Sequence, residues 1–245
     1  MPNGLVTATR GNHGQSIAFA ATRNDIPCIV VVPEVNSVEK NAAMKAFGAE
    51  LVIAGKDFDE SRAVAAMIEQ ERGYHLIPSF HRDLVKGVAT YACELFVSWP
   101  DLDTVYVPIG MSSGICGLIQ VRDLLQIKTE IVGVVAEAAP AFALSFEAGR
   151  PVLTATARTF ADRMACRDPQ AKPLEIIRKG AAHIVRVSDD EIAEATRILH
   201  IDTQNLAEGA GAAALAALAK EKDRLVGKHV GVILCGGNID MPMIQ

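Results

Sequence analysis

Three segments combine glycine with polar side chains in a pattern that could grip an anionic ligand. The first is Thr9-Arg10-Gly11-Asn12-His13-Gly14-Gln15. Its two glycines let the backbone approach a ligand, while Thr9, Asn12, His13 and Gln15 bring polar groups close to the start of a helix. Free N–H groups and the helix dipole favour a carboxylate or phosphate there. An ordinary polar turn with a capping Asn accounts for the same residues about as well. The second segment is Pro108-Ile-Gly110-Met111-Ser112-Ser113-Gly114-Ile-Cys-Gly117, after the apolar stretch Asp103-Thr-Val-Tyr-Val107. Backbone N–H groups and hydroxyls in such a loop form a phosphate cradle. It is neither a Walker loop nor a GxGxxG fingerprint, and a glycine-rich turn without a ligand is the competing explanation. The third is Leu234-Cys235-Gly236-Gly237-Asn238-Ile-Asp240. Cys235 there is either a buried structural thiol or a weak S–H donor to a neutral ring nitrogen. Other candidates read as structural. The remaining histidines lack metal-ligand spacing, and no G-x-S-x-G elbow is present. Asp162, Arg163, Arg167 and Asp168 read as a solvated charged turn, and Asp189-Asp190-Glu191 as acidic residues at a helix start.

The elements that must position these segments alternate. Strands are expected at Leu5 to Ala8, Cys28 to Val32, Leu51 to Ala54, Thr104 to Pro108, Ile131 to Ala136, His183 to Val187 and His229 to Cys235. Several are continuously apolar, as in parallel sheets buried on both faces. Helices are expected at Ser16 to Ala21, from a Ser37 cap to Gly48, and at Glu60 to Arg72, Leu118 to Leu125, Asp189 to Leu199 and Glu208 to Lys220. The order predicts an α/β protein with flanking helices and a lobe boundary near Pro78-Ser-Phe-His-Arg-Asp83. The lobes are expected over 1–90, with the first loop, and 91–245, with the second.

Composition narrows the class. The 245 residues are 50% hydrophobic and 22% charged, which supports a sizeable core and argues against disorder. No apolar run approaches the roughly 20 residues that span a bilayer. A formal net charge of -5 gives no overall pull towards nucleic acid. Five widely spaced cysteines without a C-x-x-C pair fit a reducing cytoplasm better than a disulfide scaffold.

Taken together and in order, the three segments resemble the pyridoxal-phosphate enzymes of the tryptophan-synthase-β fold, most closely the threonine/serine dehydratases. Thr9 to Gln15 is similar to that family's Ser-x-Gly-Asn-His-x-Gln loop. Lys40-Asn-Ala-Ala-Met44 with Phe47-Gly-Ala-Glu-Leu-Val52 is similar to its Lys-x-x-x-Met and Gly-Ala-x-Val signature. Glu208-Gly-Ala-Gly-Ala-Ala-Ala214 and Cys235-Gly-Gly-Asn238 resemble two further motifs, so the likeness covers nearly the whole chain. Pro108-Ile-Gly-Met and Ala161-Asp-Arg-Met-Ala-Cys-Arg resemble a hydroxyectoine-utilisation group within the family.

The resemblance implies two open, mostly parallel twisted sheets and pyridoxal 5'-phosphate as cofactor. It implies cofactor contacts from Asn12 to the ring hydroxyl, from Gly110, Met111, Ser112, Ser113 and Gly114 to the phosphate, and from Cys235 to the pyridine nitrogen. Thr9, Arg10, Gly11 and His13 would hold the substrate carboxylate. The implied reaction converts L-threonine or L-serine to a 2-keto acid and ammonia, in a cytoplasmic homo-oligomer with no nucleic-acid or membrane partner. Three departures qualify the likeness. Met111, Ser112 and Ser113 stand where the family has glycines, and each Cβ restricts positive φ. A cation site of some relatives is represented by Glu137, Ala141 and Ala143, so no strong divalent site is expected. The family's Schiff-base lysine lies in a Ser-Phe-Lys segment upstream of the first loop, and none of the ten lysines here stands in such a motif. The sequence is therefore expected to be an N-terminally truncated dehydratase without its catalytic lysine, inactive as written, and with no regulatory domain after Asp240. The alternatives are a lysine-free pseudoenzyme or phosphate-ligand binding protein, and a relative with racemase or other β-eliminating chemistry.

Overall fold

The apolar runs become two all-parallel four-stranded sheets. The computed structural model describes residues 2–240, which fall into two units. One takes in the chain up to Ser79 together with Asp240, and the other is Phe80–Ile239. The division lies inside the Pro78 to Asp83 segment, so the helix Arg82–Ser98, which a boundary at residue 90 would cut, belongs whole to the second unit.

The first unit runs β1 (Leu5–Ala8), α1 (Asn12–Thr22), β2 (Cys28–Val32), α2 (Val38–Ala46), β3 (Glu50–Ile53), α3 (Phe58–Arg72) and β4 (His75–Leu76), with sheet order β3-β2-β1-β4. Strand β2 is buried at every residue, because α1 and α2 cover one face and α3 the other. Its pairing with β1 runs from Leu5 opposite Cys28 to Ala8 opposite Val31. Ser37 caps α2 by accepting from Lys40 N at 3.1 Å, and α3 ends at Gly73 in the left-handed region, φ 65°. Both ends match the sequence signals. Helix α1 differs: it begins at Asn12, four residues before the expected Ser16, so Asn12, His13 and Gln15 lie in its first turns.

The second unit runs α4 (Arg82–Ser98), β5 (Thr104–Pro108), α5 (Ser113–Leu124), β6 (Glu130–Ala136), α6 (Ala141–Ala148), a 3-10 turn (Asp162–Met164), α7 (Ala171–Gly180), β7 (Ala181–Val187), α8 (Asp189–Thr203), α9 (Gly209–Lys220), a second 3-10 turn (Lys222–Leu225) and β8 (Val230–Val232). Its sheet order is β7-β6-β5-β8. The small residues of α9 let it pack closely on the sheet: Ala212, Ala213 and Ala214 are fully buried among Tyr106, Val132 and Val134. β8 is shorter than the expected His229 to Cys235. Ile233 N still donates to Tyr106 O at 3.0 Å, but the chain then leaves the ladder as a loop. No helix among the described residues is long and apolar enough to cross a membrane.

Candidate active site

Ligands of open parallel sheets bind beyond the carboxyl ends of strands, where successive connections diverge to opposite sides. In the first unit that point lies between β1 and β4, and in the second between β5 and β8. The segments leaving β1, β5 and β8 at these points are the three picked out by their residues. Topology therefore places all three at switch points.

In the first unit, Thr9 Oγ1 accepts from Gly11 N at 3.0 Å, which shapes the turn into α1. Thr9 is buried, whereas Arg10, Asn12 and His13 are partly exposed. The first intrahelical bond is Gln15 N to Gly11 O, so the helix supplies no carbonyl to the N–H groups of His13 and Gly14. Gly14 is needed for packing: a Cβ there would come within 2.9 Å of Val30 Cγ1 and also press on Thr9 and Met44. Lys40 is buried, and its stem packs so closely on Gly11 that a Cβ there would lie 3.0 Å from Lys40 Cδ. Thr7 spends its hydroxyl proton on Ile77 O at 2.9 Å. Its oxygen must then accept from His13 Nε2, 3.1 Å away, which places the neutral ring's proton on Nε2 and leaves Nδ1 as an acceptor. Burial lowers the His13 pKa to about 4, so the ring is neutral near pH 7. His13 therefore carries no positive charge near neutral pH.

In the second unit, Ser112 is the N-cap of α5 with φ 74°, the one non-glycine in its loop with positive φ. Met111 and Ser113 need no left-handed conformation, so their Cβ atoms cost the loop nothing in backbone strain. Ser112 Oγ is buried, makes no cap bond and has no hydrogen-bond partner among the described residues. Gly114 falls inside the first turn of α5, with its carbonyl accepting from Tyr91 Oη at 3.0 Å. A Cβ at Gly110 would collide with the Arg163 carbonyl oxygen. Cys235 Sγ donates to Ala210 O at 3.7 Å, so its thiol proton already has an internal acceptor. Cys235 is an exposed residue, so it is not the buried structural thiol. Atoms packed around its sulfur push the thiol up in pKa, the Arg163 guanidinium pulls it down and Glu208 pushes it up again. Burial and the neighbouring Cys235 likewise push the Tyr91 phenol well above its usual range.

Arg163 corrects the expectation of a solvated charged turn. Its guanidinium pairs with Glu208, whose side chain is only 5% exposed, and both groups pack against Gly236. Tyr91 carried no sequence signal, and Arg163 only its place in the Ala161-Asp-Arg-Met-Ala-Cys-Arg likeness. Arg163 sits among charged residues, and Tyr91 lies in a helix that sequence pattern did not mark. The other histidines keep to structural or surface positions. His183 bonds Glu221 at 3.0 Å in a cluster with Tyr106 and Arg224. Burial alone would raise the Glu221 pKa, but hydrogen bonds from Tyr106 and His183 hold it below the usual range. A cavity of about 590 Å³ lined by Asp101, Asp103, Lys128, Glu130, Arg224 and Lys228 lies at the amino ends of β5 and β6, opposite the loops that leave β5 and β8.

Parallel sheets with helix N-termini and a glycine-serine loop at their switch points define an α/β enzyme architecture. Residues 2–236 match the family model described as pyridoxal-phosphate dependent enzyme, and the chain belongs to that family. It is 36% identical over 247 residues to an L-threonine ammonia-lyase of Geobacter sulfurreducens, covering 100% of this chain and 61% of that protein. A phenylserine dehydratase of Ralstonia pickettii is 34% identical, with 97% of this chain and 73% of the relative covered. Among solved structures, the processed form of threonine deaminase isoform 2 from Solanum lycopersicum superposes with a TM-score of 0.94 at 28% identity, covering 99% of this chain and 72% of that one. The chain thus spans about three-fifths of the ammonia-lyases it matches.

The residues present fit the family's cofactor. A buried hydroxyl without a partner, at the N-terminus of a 12-residue helix, suits a phosphate, and a thiol just past the end of β8 suits an unprotonated ring nitrogen.

Proposed function

We propose that the chain is the core of a pyridoxal-phosphate-dependent threonine/serine dehydratase, which converts a 2-amino-3-hydroxy acid to a 2-keto acid and ammonia. The buried hydroxyl of Ser112 at the start of α5 carries the reading, because an unsatisfied hydroxyl at a helix N-terminus suits a phosphate. The N–H groups of α5's first turn and the loop from Gly110 to Gly114 hold the phosphate, with Tyr91 fixing the Gly114 carbonyl out of the way. By the family resemblance Cys235 would donate its S–H, now on Ala210, to the ring nitrogen, and Asn12 would bond the ring hydroxyl. The N–H groups of His13 and Gly14 with the Thr9 hydroxyl receive the substrate carboxylate, and the buried Lys40 stem keeps Gly11 in place. When bound, the cofactor supplies an electron sink for the carbanion at the substrate α-carbon. His13 keeps its Nε2 proton on Thr7 and offers only an acceptor at neutral pH.

The test is ammonia release, with pyridoxal phosphate added, by this chain carrying the lysine-bearing segment that the family places ahead of the first loop. L-threonine or L-serine should each yield equal amounts of ammonia and 2-keto acid. Release from neither substrate, with pyridoxal phosphate bound, contradicts the dehydratase reading.

A further inference from the structure

Two loops that leave neighbouring strands must stay in register for the second unit to present a phosphate cradle and a thiol together. One residue touches both. The main chain of Arg163 fills the space where a Gly110 side chain would go, and its guanidinium fills part of the space where a Gly236 side chain would go. The remaining part is filled by the Glu208 carboxylate. Glu208 is tied to the same place by its backbone, since its N–H donates to Gly236 O at 3.1 Å. It is also the N-cap residue of α9, where negative charge is favoured. A carboxylate only 5% exposed needs a close positive partner, because a buried lone charge is costly. Arg163, with its side chain 28% exposed, is that partner. The turn carrying it is anchored by Met164, which is buried in the core, and by Thr159, whose hydroxyl donates to Asp189 at 2.5 Å.

We propose that Arg163 is a positioning residue of the cofactor-ring site: paired with Glu208, it holds the Cys235–Gly236 turn against the phosphate loop and sets the net charge beside the Cys235 thiol. The role at the ring rests on the cofactor reading above, whereas the coupling among Arg163, Glu208 and Cys235 does not. Arg163 and Glu208 act on the thiol in opposite directions, so the pair leaves it near neutral surroundings and either partner alone would not. A neutral environment is what an S–H donor to an unprotonated ring nitrogen requires.

The coupling can be read without cofactor or turnover by following alkylation of Cys235 by iodoacetamide across pH, resolved by mass spectrometry. Rates are expressed relative to Cys93, which is exposed on α4. Glu208→Gln leaves the guanidinium uncompensated, and Cys235 should react faster below its pKa, by about threefold for each pH unit its thiol falls. Adding Arg163→Met to Glu208→Gln should remove that gain, whereas adding Arg163→Lys should keep it. No gain in Glu208→Gln overturns the proposal, as does Lys at 163 behaving like Met, since a purely steric role would not distinguish charge. In the unsubstituted chain, pyridoxal phosphate should protect Cys235. Charge coupling without protection would sink the cofactor reading and leave the Arg163–Glu208 pair standing.

Discussion

His13 shows how a single hydrogen bond decides a chemical role. Thr7 has one proton, Ile77 O takes it, and the histidine is left to donate through Nε2. Burial does the rest, lowering its pKa to about 4 from an ordinary 6.5. Between those values the unfolded chain binds a proton that the folded chain does not. The His13 contribution is therefore complete above pH 6.5 and is lost as pH falls towards 4. The unfolding free energy should drop by up to about 1.4 kcal/mol per pH unit in that window. His13→Gln keeps a donor at the same end of the side chain and removes the titration. Urea unfolding from pH 4 to 8 should show a shallower acid-side decline in the variant, and an identical decline would show that His13 does not titrate this way. From sequence, His13 was legible as a loop histidine near an anion site, but its partner Thr7 lies on the preceding strand with no distinguishing mark. The pairing of Arg163 with Glu208 likewise follows from where the Asp162–Met164 turn lands and not from its charged neighbours in sequence.

Elements were legible where period and caps agreed. The continuous apolar runs of β2 and β5 and the acidic start of α8 are strong local signals, and the structure adds a capping box at α8. Ser188 Oγ accepts from Glu191 N at 3.2 Å while Glu191 Oε2 accepts from Ser188 N at 2.7 Å. Ser188→Ala should cost about 1 kcal/mol in denaturant unfolding, and no loss would mean the box contributes nothing to α8. Helices α4, α6 and α7 were harder to see. α6, Ala-Phe-Ala-Leu-Ser-Phe-Glu-Ala, has apolar residues on most sides and therefore no stripe. α7 carries Pro173 in its first turn, where a missing N–H is tolerated but the sequence suggests a break. The early start of α1 has a similar origin, since Gly11 caps it without a side chain. Close packing of that helix depends on Gly14. Gly14→Ala should destabilise by about 1–3 kcal/mol through overpacking against Val30, Thr9 and Met44. A neutral result in thermal unfolding would mean that α1 can shift away from β2.

At the scale of the whole chain, motif order carried more than any single motif. Each glycine loop alone has a competing structural explanation, a ligand-free turn for the first two and a structural thiol for the third. What separates the two explanations is that strand orders β3-β2-β1-β4 and β7-β6-β5-β8 put all three loops at switch points, which no local pattern reveals. The residue that reports on ligand binding most directly is Ser112, because it is held at φ 74° with its buried hydroxyl unsatisfied. Ser112→Gly removes both the conformational cost and the hydroxyl, so stability and affinity should move in opposite directions. Equilibrium dialysis of pyridoxal phosphate against the chain and this variant is the measurement that bears hardest on the account. The chain should take up one equivalent saturably and in competition with inorganic phosphate, and Ser112→Gly should bind about tenfold more weakly while unfolding no more easily. Absence of saturable uptake, or uptake indifferent to phosphate, would contradict it.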